Sequence, residues 1–203
     1  MKKKRVGLGV LAAVGALALL AVGVDAGAKK VSELWNGRPY PAADPAAVSQ
    51  KLQERSQWTY DGFGLPPATA GAVQAGGMST GACYYRGLRG FGHIDEARMD
   101  VVDFGLRWEV PGVPEDTARQ AQQRLRKRLE GAGWKLTHDG NRTLEELVEL
   151  GYRYQQPGGE DHIDVRWNNR TTTLVVTVYA PCGQVRPGSL DTEAAKASWA
   201  PVA

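Results

Sequence analysis

The sequence predicts an α+β fold: an antiparallel sheet of four to five strands with one main helix packed on one face, preceded by a single N-terminal transmembrane helix. Three observations carry that prediction. From Asp100 to Val110 apolar and polar residues alternate, as in a strand with one buried face. Between Pro114 and Glu130, Ala118, Ala121, Leu125 and Leu129 recur at spacings of three and four, the mark of an amphipathic helix. Ahead of both lies an uncharged run, Val6 to Val24, introduced by Lys2, Lys3, Lys4 and Arg5.

At about 1.5 Å per residue, that run spans roughly 28 Å, close to the roughly 30 Å of a bilayer core. The positive-inside bias keeps residues 1–5 in the cytoplasm and sends everything after Asp25 to the far side. Length favours an uncleaved anchor over residues 6–24. Ala26-Gly27-Ala28 is also a small-x-small sequence of the kind signal peptidase recognises, so release after Ala28 is the competing expectation. No cysteine near the boundary supports a lipid anchor.

Of 25 basic residues four stand in the leader, which leaves 21 against 22 acidic residues in the rest. The exported part is near neutral, and neither its charge nor its compartment points to nucleic acid. It is long enough for one domain with a real core.

Residues 25–43 show no sustained period and read as a linker, and the domain is expected over residues 44–186. Asp44 followed by Pro45 is a helix start, with a helix to about Ser56. Gln57 to Gly81 is rich in Gly, Pro, Ala and Thr and reads as an irregular loop. Ala82 to Leu88 is a short β-type run, and the Gly-Leu-Arg-Gly-Phe-Gly-His stretch after it is a flexible connection whose glycines fit no phosphate-binding fingerprint.

In the next strand Val102, Phe104, Leu106, Trp108 and Val110 share the core face. Acidic residues open the following helix and Gly131 and Gly133 stop it. Its outer face carries Arg119, Arg124, Arg126, Lys127 and Arg128, which read as a solvated surface, with contact to anionic lipid or wall polymer as the functional alternative. Trp134 to His138 alternates as a strand. Thr143-Leu144-Glu145-Glu146 resembles a capping box and predicts a short helix from Leu144 to Leu150, with a strand extension as the alternative. Gly151 to Gln155 is a strand, and Asp161 to Trp167 pairs with Thr171 to Ala180 as a hairpin. Leu174, Val176, Val178, Ala180 and Cys182 fall on one face of its second strand. Residues 187–203, small or polar apart from Trp199, read as a disordered tail.

Two cysteines occur, Cys83 and Cys182, both beyond the apolar run. In an oxidising space such a pair reads as a structural disulfide, contributing on the order of 2 to 4 kcal/mol. A redox pair or metal site normally keeps its cysteines close in sequence.

The three histidines are His93, His138 and His162. His162 shares a strand face with Asp164 and Arg166, an arrangement that fits a general base or metal ligand. Alternating polar residues are equally what the wet side of a hairpin requires. His93-Ile94-Asp95-Glu96 is ambiguous in the same way. No nucleophile elbow, His-x-x-x-His pair or metal-spaced cysteine pair occurs, so no catalytic residue, cofactor or metal is assigned.

Cys83-Tyr84-Tyr85-Arg86-Gly87-Leu88, Leu106-Arg107-Trp108, Gly133-Trp134-Lys135 and Val176-Thr177-Val178-Tyr179-Ala180-Pro181-Cys182-Gly183 together resemble uncharacterised small membrane-anchored extracytoplasmic proteins of actinobacterial type. The resemblance covers roughly Asp44 to Pro187. It implies an anchored or secreted domain with both cysteines bridged and without assigned activity or cofactor. The expected function is therefore non-enzymatic binding of a cell-envelope protein or polymer by a domain held on the membrane through residues 6–24. An envelope hydrolase, or a binding protein secreted after Ala28, is the alternative.

Overall fold

A computed structural model describes residues 29–66, 72–191 and 198–202. The cytoplasmic segment 1–5, the transmembrane run 6–24 and the cleavage site at Ala28 lie outside the described residues. Among the described residues, no helix is long and apolar enough to cross a membrane. The chain divides into two compact units, a smaller one holding 29–39 and Tyr84–Ala97, and a larger one holding Tyr40–Cys83 and the chain from Arg98 onward.

The larger unit is α+β, with eight strands among the described residues where four or five were expected. They are β1 (Gly76–Tyr84), β2 (Ala97–Val110), β3 (Lys135–Asp139), β4 (Arg142–Leu144), β5 (Leu147–Gln155), β6 (His162–Asn168), β7 (Thr173–Gln184) and β8 (Ser198–Trp199). The sheet order is β3-β5-β6-β7-β2-β1-β8, with β4 paired to β5. One face of the central strands buries Phe104, Leu106, Trp108, Leu150, Tyr152, Tyr154, Ile163, Val165, Trp167, Leu174, Val176 and Val178. Each fully buried large apolar side chain contributes roughly 1.5–3 kcal/mol.

Two helices share this core. Residues 29–36, in the smaller unit, are also helical and are termed α1. The core helices are α2 (Pro45–Phe63) and α3 (Glu115–Gly131). The Asp44 side chain accepts from the Ala46 N–H at 3.2 Å, the N-cap that the sequence indicates. The helix runs seven residues past its expected end at Ser56, because Tyr60 and Phe63 meet Trp108 edge-on with ring centroids 5.7 and 6.0 Å apart. Tertiary packing outweighs the weak local pattern there. At Gly62 a Cβ would come within 2.8 Å of Leu125 Cδ1, so the missing side chain lets α2 and α3 approach.

Three of the α3 arginines are tied into the fold, while Arg119 and Lys127 stand exposed. Arg124 donates to the carbonyls of Phe63 (2.7 Å) and Gly64 (3.1 Å), satisfying orphan acceptors at the end of α2. Arg126 pairs with Asp139 and lies over the Tyr152 ring, while Arg128 lies over Trp58. The Arg126 guanidinium holds the Asp139 carboxyl below its ordinary range.

Several segments carry structure that differs from the sequence reading. The linker is structured from residue 29, with Tyr40 buried and Ala42 bridged to Gln184. The loop to Gly81 contains the end of α2 and most of β1. The flexible connection holds a 3-10 turn, Leu88–Gly92. The capping-box helix is instead β4, a turn and the start of β5. Leu150, Tyr152 and Tyr154 continue a two-residue alternation into the core, and Asn169 Oδ1 accepts from the Val148 N–H. Described parts of the tail are ordered: Ser198 and Trp199 pair with Gly77 and Gly76, and Val202 exchanges hydrogen bonds with Gln57.

Candidate functional site

Because one face of the central strands is committed to the helices, the intervening residues stand on the other face. The strand register then composes that face row by row. His138, Arg153, Asp164, Thr177 and Arg107 fall in one row across β3, β5, β6, β7 and β2. Gly151, Arg166, Val175 and Glu109 form the next, and Gln155, His162, Tyr179 and Gly105 form the one on the other side.

A groove of about 530 Å³ lies over one half of this face, lined by His138, Arg142, Glu149, Gly151, Arg153, Asp164, Arg166 and Asn168. Its middle is open at Gly151, which has no side chain to fill it. Arg153 binds Asp164 in a two-pronged pair at 2.6 and 2.7 Å. Asp164 is 9% exposed in its side chain, so this guanidinium compensates a largely desolvated carboxylate. Arg142 is paired with Glu149. Hydrogen bonding to these carboxylates raises the pKa of both arginines. Arg166 is different: 75% exposed, it approaches Asp164 only to 3.7 Å. Three guanidiniums thus face two carboxylates, and Arg166 holds its carboxylate at the longest distance. A second depression of about 460 Å³, lined by Gly76, Ser79, Arg107, Glu109 and Tyr179, continues along the same face.

The site residues expected from sequence fare unevenly. Cys83 and Cys182 are bonded, with Cα atoms 6.2 Å apart, and no free cysteine remains among the described residues. Cys182 does not share the main core face, however. Val102 faces Gly183 and Phe104 faces Ala180, so Pro181 and Cys182 together oppose Asp103 in a bulge. That shifts the alternation, and the bridge packs with Tyr40 and Val101 in a small separate cluster.

His162, Asp164 and Arg166 do lie on the open face of β6, but their contacts diverge. The His162 ring stacks on Tyr179 at 4.2 Å with its Nδ1 3.1 Å from the Glu160 carbonyl, while Asp164 is bound by arginine. His138 lines the groove without a carboxylate that is free of arginine. His93 belongs to the smaller unit, where it pairs with Glu96 and stacks against Tyr85. Among the described residues, no group of three or more His, Cys, Asp or Glu is placed to hold a metal ion.

Sequence reasoning missed Arg142, Glu149 and Arg153. Arg142 lies just before the stretch read as a helix and Glu149 within it, and only strand register brings all three to the groove beside Asp164. The signal that could have found them is the alternation Leu150, Tyr152, Tyr154, extended backward by one turn of the hairpin. Chemically, the groove offers planar, multidentate donors to carboxylate or phosphate oxygens. No protein-family model, curated protein or solved structure matches this chain.

Proposed function

We propose that this chain is a membrane-anchored extracytoplasmic binding domain, and that its open sheet face holds acidic groups of a cell-envelope polymer. One observation carries the reading: Arg166, 75% exposed and no nearer than 3.7 Å to Asp164, lines a groove that Arg142 and Arg153 also line. A guanidinium left open beside two already neutralised pairs is a site for an anion brought from outside. The second depression beside it extends the same face, which suits an extended chain better than a compact metabolite. Anchoring through residues 6–24 rests on the basic cluster and the apolar run described above.

The test is titration of the full-length protein, in nanodiscs of neutral lipid, with polygalacturonate and with neutral dextran. Polygalacturonate binds, dextran does not, and Arg166→Gln weakens binding about tenfold, equivalent to about 1.4 kcal/mol. Binding also weakens as salt rises from 50 to 500 mM, values chosen to bracket the physiological Debye length of about 8 Å. Equal affinity of the variant, or of dextran, defeats the reading.

The envelope-hydrolase alternative draws on His138, which lines the same groove as Glu149 and Asp164. It requires one of those carboxylates to leave its arginine. Release of reducing ends from an envelope polymer, abolished by His138→Ala, is the result that would favour it. A soluble product beginning at Lys29 would instead favour the secreted form.

A further inference from the structure

The smaller unit has the opposite surface character from the sheet. In α1, Val31, Leu34 and Trp35 stand at positions i, i+3 and i+4, hence on one face, and all three are exposed, Trp35 at 58%. The segment that packs against α1 adds Leu88, Phe91 and Ile94, with Phe91 at 76%. The two pieces meet backbone to backbone. Gly37 and Gly87 both have positive φ, +72° and +66°, and a Cβ on either would overlap the other piece. Six large apolar side chains are therefore presented to solvent by one unit of about 25 described residues. Scattered single exposures need no explanation, but a concentration of this kind in so small a unit does.

Charge and chain length say what covers it. Residues 29–39 and 84–97 carry five basic residues against three acidic ones. Lys29, Lys30 and Arg38 are all exposed, whereas Glu96 is engaged by His93. The uncharged run ends at Val24, and the five steps to Lys29 reach at most about 18 Å when fully extended. An amphipathic helix with aromatic and aliphatic residues on one side and lysines beside them is the form that settles into a headgroup layer.

We propose that the unit formed by residues 29–39 and 84–97 is a lipid-binding element that lies in the headgroup layer of the bilayer, its apolar side chains inserted and its basic residues on anionic phospholipid. The inference rests on the anchoring of residues 6–24 but is separate from the polymer-binding groove.

The experiment uses the full-length chain reconstituted into vesicles whose acyl chains carry bromine, with phosphatidylglycerol or with phosphatidylcholine alone. No tryptophan occurs between Val6 and Val24, so quenching of tryptophan emission reports on the rest of the chain. Trp108 and Trp167 are buried and Trp35 is the most exposed of the described tryptophans. Emission is quenched in phosphatidylglycerol vesicles, at least twofold more than in phosphatidylcholine, and the difference disappears in Trp35→Phe. The double substitution Phe91→Ser with Ile94→Ser, at two exposed positions, halves the quenching while leaving the thermal unfolding midpoint unchanged. A chain that resists alkaline carbonate extraction yet shows no Trp35 quenching overturns the proposal and leaves the anchor standing. Equal quenching in the two lipids overturns the anionic assignment. A chain released by carbonate overturns the anchor, and the proposal with it.

Discussion

The two faces of the central strands are built from the same residues taken alternately, yet they answer to different physics. Toward α2 and α3 the positions are filled for volume: Trp108, Trp167, Phe104 and Ile163 have essentially no solvent exposure. Away from them the positions are filled for charge, and Arg153, Asp164, Arg107 and Glu109 are held by ion pairs. A substitution on the first face removes close packing that nothing else can replace. On the second, solvent substitutes for much of what is lost, except where a charge is itself buried. The contrast places close packing on one face and paired charge on the other.

The largest test of that division is Trp108→Ala, expected to cost about 3–5 kcal/mol in chemical denaturation through loss of the contacts with Tyr60 and Phe63. Trp108→Phe should cost much less, because the indole N–H has no hydrogen-bond partner among the described residues. Equal losses from the two variants would mean that ring volume is not what the covered face requires. Replacing both cysteines by serine should lower stability by roughly 2–4 kcal/mol. The bridge packs in a cluster separate from the main core, and neither cysteine lines the groove, so the proposed polymer binding should not change. A parallel loss of affinity would tie the two faces together.

On the open face, Arg153→Ala is expected to cost about 1–3 kcal/mol by leaving the buried Asp164 only its long contact with Arg166. Removing Asp164 as well should restore part of that loss, and a double-mutant cycle measures the coupling. No recovery would show that Arg153 acts through packing and not through charge. The smallest effect concerns pH. Tyr154 is pushed up to about 12 by burial and by its hydrogen bond to Glu130. With its folded-state pKa raised above the ordinary 10, its contribution is fully present below pH 10 and is lost as pH rises toward about 12. Tyr154→Phe should flatten the alkaline decline in unfolding free energy over that window. An unaltered decline would assign it to other groups, such as Tyr152, whose pKa burial also raises.

The same contrast explains how much of the molecule is legible in its sequence. Strand β2, helix α3 and the β6–β7 hairpin can be read directly, because each repeats a local period against one large core. Strands β1 and β8 cannot: Gly76, Gly77 and Ser198 carry no apolar pattern, and their pairing is decided by distant partners. Thr143 to Glu146 has the chemistry of a helix cap, but the demand of Leu150, Tyr152 and Tyr154 for the core makes the segment a hairpin. The polar face of β6 is equally legible, through His162, Asp164 and Arg166. Its conversion into a groove is not, since the partners Arg142, Glu149 and Arg153 reach it only through register, which no local pattern encodes.

The pairing of Ser198–Trp199 onto Gly76–Gly77 has a colloidal consequence. Without β8, strand β1 would end the path on that side, and a glycine-rich edge is an open template for another chain. The C-terminal residues cap it over two positions, with Trp199 packed against the core and Val202 fastened to Gln57. A protein ending before Ser198 would expose those backbone groups to a second copy. Its apparent mass in light scattering would then grow with concentration under conditions where the full chain's does not.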